Sequence, residues 1–269
     1  MNRKKRTYYY HINFFQKYLD DCKKKHDEFE VVKTTYSRKI CTDTYNLVFN
    51  SKGEQDTRVL SLINNVRGDA KKYMDSGFKP TEGHFDYFGL IDIPVTGEVI
   101  CKVDIRSAYW TWAVNKGIIS KETNNKMLEI YKDASAEELK QGRLKALGAL
   151  ATRKYWRKYK GGFIVEDEVF EEPTKDLYIE INRGIDYLMH EAAGHVDGVF
   201  YYYWDCLFMR TKFAKDAVDF FMKKQFEVKV ESTILDFVKI GSMGYLICQN
   251  TNKIYMTGRE SKHLIEHLI

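Results

Sequence analysis

Two acidic residues stand in strand-forming surroundings. Asp104 closes the alternating run EVICKVDI (Glu98–Ile105), and Asp205 interrupts the aromatic run VFYYYWDCLF (Val199–Phe208). A carboxylate among such neighbours is costly to bury unless a cation pairs with it. Two carboxylates presented on adjacent strands of an antiparallel sheet are a minimal site for two divalent ions. Such a pair of ions holds both the attacking and the leaving oxygen in phosphoryl transfer. Magnesium suits the pair, because it takes few protein carboxylates and fills its other positions with water and substrate phosphates. Taken alone, Asp205 also fits a plainer role, as a turn former capping a hairpin.

Other chemistries lose their footing. HEAAGH (His190–His195) looks like a zinc-protease helix, but its histidines are five residues apart instead of four. That places them about 140° apart around a helix, on different faces. Neither a P-loop nor a Gly-x-Gly-x-x-Gly dinucleotide loop occurs. The five cysteines are scattered without a Cys-x-x-Cys pair, which argues against a disulfide framework or a cysteine zinc site and fits a reducing cytoplasm. No apolar run of about 18 residues is present, so no membrane span is expected. The basic start, MNRKKR, lacks the apolar core of a secretory signal and reads as a solvated terminus or a phosphate-touching arm. Net charge is +5, mildly basic and compatible with nucleic acid.

The elements that must position the two acids follow from periodicity. Residues 8–30 read as an amphipathic helix on Phe14, Phe15, Tyr18 and Leu19, 44–49 as a strand and 57–74 as a helix. After a loop over 79–97 come the strand ending at Asp104 and a short helix closed by Gly117. Helices are expected over 120–132 and 135–159, the second starting in a Ser135/Glu138 capping box and ending at Gly161-Gly162. It carries Arg143, Lys145, Arg153 and Lys154, a basic surface that also fits a merely solvated face. A helix over 176–193 leads to a hairpin over 198–210 turning near Asp205. Then come a helix over 212–225, a strand over 226–233, a strand or pair of strands over 236–249, a strand over 253–258, and a last helix over 261–269. The pattern is α+β, an antiparallel sheet with helices on one face.

KVDIRSAYW (Lys102–Trp110) resembles motif A of the family B DNA polymerases, D-x-x-S-L-Y-P, in Asp104, Ser107 and Tyr109. YYYWDCLF (Tyr201–Phe208) resembles their motif C, Y-x-D-T-D-S, in Tyr201 and Asp205, with Tyr203 at the place of the first acid. KALGALATR (Lys145–Arg153) keeps only the lysine of motif B, and VKIGSMGYL (Val238–Leu246) keeps the tyrosine of the primer-contacting K-x-Y. The likeness spans about residues 98–248.

The resemblance implies a reduced polymerase palm without an exonuclease. Residues 98–118 and 163–249 would form the palm-like core and 119–162 a helical fingers hairpin. Residues 1–97 would be a separate mixed region and 250–269 a short extension. It implies Mg²⁺ or Mn²⁺ held by Asp104, Asp205 and the carbonyl of Ile105. Ser107 and Tyr109 would bind the incoming nucleotide, Tyr109 as a steric gate under its sugar; a plain core-filling role also fits Tyr109. Arg143, Lys145, Arg153 and Lys154 would meet the triphosphate, and Lys239 and Tyr245 the primer. Implied partners are DNA and deoxynucleotides, with a replication or priming protein, in a cytoplasm that is the host's if the source is viral. Two other outcomes stay open: a degenerate palm that binds nucleic acid or a partner without chemistry, and an unrelated α+β interaction protein.

Overall fold

Runs rich in Val, Ile, Tyr and Phe set the strands, and apolar stripes at helical spacing set the helices between them. The computed structural model describes residues 5–34, 36–54, 57–83, 87–92, 97–240, 243–248 and 253–256. Of residues 235–240, 243–246, 248, 253, 255 and 256 it describes the backbone alone. In chain order the elements begin with β1 (Arg6–His11), α1 (Phe15–Lys25), β2 (Glu28–Lys33), β3 (Ser37–Cys41), β4 (Tyr45–Asn50) and α2 (Thr57–Asp75). Next are β5 (Phe88–Leu90), β6 (Val99–Ile105), α3 (Ala108–Asn115), α4 (Lys121–Ile130) and α5 (Ala136–Gly148). β7 (Arg153–Lys160), β8 (Phe163–Glu171), α6 (Lys175–His195), β9 (Val199–Tyr203), β10 (Cys206–Arg210) and α7 (Ala214–Lys223) follow. The strands β11 (Val228–Ile240), β12 (Met243–Cys248) and β13 (Lys253–Met256) complete the order. The architecture is α+β, as expected, with one mixed and one antiparallel sheet. No described helix is long and apolar enough to cross a membrane. The basic residues 1–4 and the helix expected over 261–269 lie outside the described residues.

The chain forms two compact units, Met1–Pro80 with Gly117–Ile179, and Thr81–Lys116 with Glu180–Ile269. The first holds a six-stranded sheet in the order β1-β4-β3-β2-β7-β8, in which β1 and β4 pair in parallel and the other neighbours are antiparallel. Phe15, Leu19 and Cys22, the buried stripe of α1, share one core with Phe29, Val31, Ile40, Leu47, Phe49 and Tyr159. Phe29 and Tyr159 stack across β2 and β7 with centroids 4.7 Å apart. The capping box is present: Ser135 Oγ accepts from the Glu138 N–H, and Glu138 accepts from the Ser135 N–H.

Two expectations fail here. Only residues 15–25 of the helix expected over 8–30 are α-helical. The tyrosine run before it, with high strand propensity, is β1, and the residues after it are β2. The helix expected over 135–159 stops at Gly148, and Arg153–Lys160 is a strand. Gly161-Gly162 is the turn of a hairpin: Lys160 pairs with Phe163, and the glycines have φ 55° and 82°. Positive φ at both positions is the turn that matches strand twist. The run RKYWRKYK has the aromatic content of a strand, and cross-strand ion pairs settle its charges.

The second unit holds a seven-stranded antiparallel sheet, β13-β12-β11-β6-β10-β9-β5. β6 is central, flanked by β10 and β11. α7 packs against β6 and β11 and buries Ala217 and Phe221. α6 admits Trp112 only because position 184 is glycine: a Cβ there would lie 2.0 Å from the indole.

Candidate functional site

β6 alternates its faces. Cys101, Val103 and Ile105 are buried on one side, while Lys102 and Asp104 share the other and are half-buried. Register then decides what surrounds Asp104. Cys206 of β10 lies opposite it on one side and Lys229 of β11 on the other. Lys102 in turn lies between Phe208 and Glu231. Facing residues in an antiparallel pair present their side chains to the same face. Asp104, Lys102, Lys229 and Glu231 therefore form a square of alternating charge. Lys102 Nζ donates to Asp104 Oδ2 at 2.7 Å, with side-chain exposures of 26% and 33%. Lys229 pairs with Glu231 in the same i, i+2 fashion. Lys229, and more weakly Lys102, hold the Glu231 carboxyl below the usual carboxylate range.

Asp205 reaches this neighbourhood through the β9–β10 turn, where Tyr203 pairs with Cys206 and leaves Trp204-Asp205 as the loop. Trp204 has φ 55°. The left-handed region costs a non-glycine residue roughly 1–2 kcal/mol. The turn is held from both flanks: the Ile105 N–H donates to the Asp205 carbonyl at 2.9 Å, and the Trp204 N–H donates to the Tyr87 carbonyl at 2.7 Å. Such over-determination is what lets strained backbone persist. Asp104, Asp205, Lys102, Cys206, Tyr203 and Trp204 line one cleft of about 400 Å³. The hairpin expected near Asp205 is thus present, and both acids of the sequence reading line the same cavity.

Cys206 sits between the acids but takes no part as an anion. Burial pushes its thiol well above the ordinary range, with a smaller opposing effect from Lys102 and upward contributions from Asp104, Asp205 and Glu231. A thiol kept neutral is a poor nucleophile. The carboxylates that line the cleft are those of Asp104 and Asp205. Among the described residues no group of three or more His, Cys, Asp or Glu is arranged to hold a metal. Two hard oxygen donors fit magnesium that completes its shell with water and substrate phosphate. A lysine already occupies one of those oxygens.

The other candidates distribute as follows. Ile105 is buried, and its N–H is the one bonded to Asp205. Ser107 precedes α3 in the left-handed conformation, φ 53° and ψ 38°, with an exposed side chain. Tyr109 lies half-buried in the first turn of α3. Arg143 and Lys145 stand on α5 in the first unit, and burial draws the Arg143 guanidinium down. Arg153 and Lys154 are not on a helix. They stand on β7, paired with Glu171 at 2.6 Å and Glu172 at 2.7 Å. Lys239 and Tyr245 belong to β11 and β12, opposite Gly244 and Val238, and their side chains lie outside the description. In the decoy helix the His195 ring bonds the Glu191 carbonyl of its own helix at 2.8 Å, and Glu191 pairs with Lys224.

Sequence reasoning missed Lys102, Lys229 and Glu231. Their signal was present as Lys-Val-Asp and Lys-Val-Glu, opposite charges two residues apart in strands. No family model, curated protein or solved structure matches the chain.

Proposed function

We propose that the chain is a polymerase-like nucleotidyltransferase that adds deoxynucleotides to a 3′-hydroxyl on a palm-like antiparallel sheet. One observation carries the reading: Asp104 and Asp205, far apart in sequence, line one cleft where the β9–β10 turn is bonded to the end of β6. Asp104 and Asp205 would hold Mg²⁺ or Mn²⁺, which when bound supplies charge neutralisation at the transferred phosphate and at the attacking oxygen. Lys102 holds the Asp104 carboxylate in an ion pair until substrate arrives. Ser107 and Tyr109, in the segment that follows Asp104, are the proposed sugar contacts. The proposal uses residues of the second unit alone. DNA, deoxynucleotides and a priming partner are the ligands it implies.

The test is extension of a labelled primer with dNTPs and Mg²⁺ or Mn²⁺. Asp104→Asn and Asp205→Asn are each expected to slow it by at least about 100-fold, the scale of losing one electrostatic catalytic group. Equal extension by the doubly substituted protein overturns the reading.

The Lys102–Asp104 ion pair favours a second reading, a palm that binds nucleic acid without chemistry. It expects DNA binding that weakens steeply with salt, no incorporation with either metal, and no effect of Asp104→Asn on binding.

A further inference from the structure

The tip of the β9–β10 hairpin holds more exposed ring than its turn requires. Glycine would accept the Trp204 backbone without strain, yet the position carries an indole that stays 40% exposed. Tyr87, 38% exposed, lies against it with centroids 4.8 Å apart and planes 30° apart. The bond from the Trp204 N–H to the Tyr87 carbonyl fixes the two backbones together. Tyr203 meets both rings edge-on, at 6.0 Å and 6.1 Å, and stacks inward on buried Tyr201. The rings are thus held in place before any ligand arrives. Cages for quaternary ammonium ions surround the charge with several ring faces. A shallow tilt between neighbouring rings makes an open-ended stack instead, which a flat ring can extend. Trp204 also lines the cleft that holds Lys102, Asp104 and Asp205.

We propose that Trp204, backed by Tyr87, is a stacking platform for an unpaired nucleobase at the mouth of the Asp104–Asp205 cleft. The proposal rests on the nucleic-acid reading above. Every base offers a flat π-face, so such a platform tolerates sequence but requires the base to be unpaired.

The test is binding of a labelled oligo(dT) about a dozen nucleotides long, a length within the site sizes of single-strand binders. Fluorescence anisotropy reads the affinity. Trp204→Gly, which keeps the turn, and Tyr87→Ala are each compared with Trp204→Phe. Loss of one stacked base weakens binding about 5- to 150-fold, and the phenylalanine variant is expected to retain most of the affinity. A duplex of equal length should be insensitive to all three. Trp204-dependent binding of dTTP alone assigns the base to the incoming nucleotide, whereas dependence only with the oligonucleotide assigns it to a strand; either supports the platform. Unchanged affinity for both ligands in Trp204→Gly overturns it. Should that variant melt early, unchanged affinity in Tyr87→Ala overturns it equally. Trp204-dependent binding without primer extension defeats only the catalytic reading. Extension with Trp204-independent binding defeats only the platform.

Discussion

Two hairpins, one in each unit, close through two-residue turns and spend those residues differently. β7–β8 turns on Gly161-Gly162, where positive φ carries no steric cost. β9–β10 turns on Trp204-Asp205 and accepts a left-handed tryptophan. Around the first turn, charge is neutralised across the strands: Arg153 with Glu171, Arg157 with Asp167, Lys158 with Glu166 and with Glu28 of β2. β8 is exposed along its whole length. Around the second turn, four residues in each strand are buried, and the unburied tip carries an acid and an indole beside a cleft. A glycine turn has only to reverse the chain. A strained turn with bulky polar chemistry at its tip points to use of the side chains themselves.

The same ring removal separates the hairpins most strongly. Phe208, 1% exposed, should cost about 3–5 kcal/mol of stability when cut to alanine. Phe163, 78% exposed, should change it by less than about 0.5 kcal/mol. Denaturant unfolding of both variants measures the contrast, and similar losses would erase it. Turn exchange comes next. Gly161→Val forces a branched residue into the left-handed region and should cost about 1–2 kcal/mol. Trp204→Gly relieves the same cost while losing the contact with Tyr87, and should stay within about 1 kcal/mol of the wild type. A large loss in Trp204→Gly would mean that the indole is there for the fold.

A third contrast concerns two lysine–carboxylate pairs of equal length, Lys102–Asp104 and Lys154–Glu172, both 2.7 Å. Lys102→Met should tighten Mn²⁺ binding about fivefold by calorimetry, matching the roughly 1 kcal/mol upper worth of a partly exposed pair. Lys154→Met leaves the Glu172 carboxylate still paired with Arg67 at 2.9 Å and should create no Mn²⁺ site. Equal effects would remove the distinction between the two ion pairs.

The antiparallel unit was legible where β6 alternates and where the β9–β10 turn is short, but the break expected between residues 233 and 236 is absent: β11 runs unbroken over Val228–Ile240. EVICKVDI and VFYYYWDCLF gave both the acids and the hairpin. The other unit was misread where one signal serves two structures. Gly-Gly ends helices and also turns hairpins, and the basic run before it masked the Tyr155, Trp156 and Tyr159 content that favours a strand. The tyrosines of β1 were absorbed into the helix that follows, because a parallel pairing with β4 leaves no mark in adjacent sequence. The charge square around Asp104 was hidden for a different reason. Lys-Val-Asp and Lys-Val-Glu are each readable, but only the β6–β11 register sets them opposite one another.

The smallest contrast is one of direction with pH. Lys175, and then Arg153, hold the Glu171 carboxyl below its ordinary range. A depressed folded pKa contributes stability that is complete above the unfolded value and is lost as pH falls through the folded one. Acid should therefore loosen the β7–β8 hairpin, and Glu171→Gln should flatten the acid limb of the stability curve. Cys206 runs the other way. Burial raises its thiol well above the ordinary value, so the unfolded chain releases the proton first as pH rises. Its contribution is complete below the unfolded thiol pKa and declines above it. Cys206→Ala leaves a small cavity at every pH but should flatten the alkaline limb alone. Near neutrality both groups are in their favoured states, and neither slope is visible. Melting curves collected from acid to alkaline pH separate the two limbs. If Cys206→Ala left the alkaline slope unchanged, the thiol would be reached by water, and the sheet face between Asp104 and Asp205 would be wetter than its burial implies.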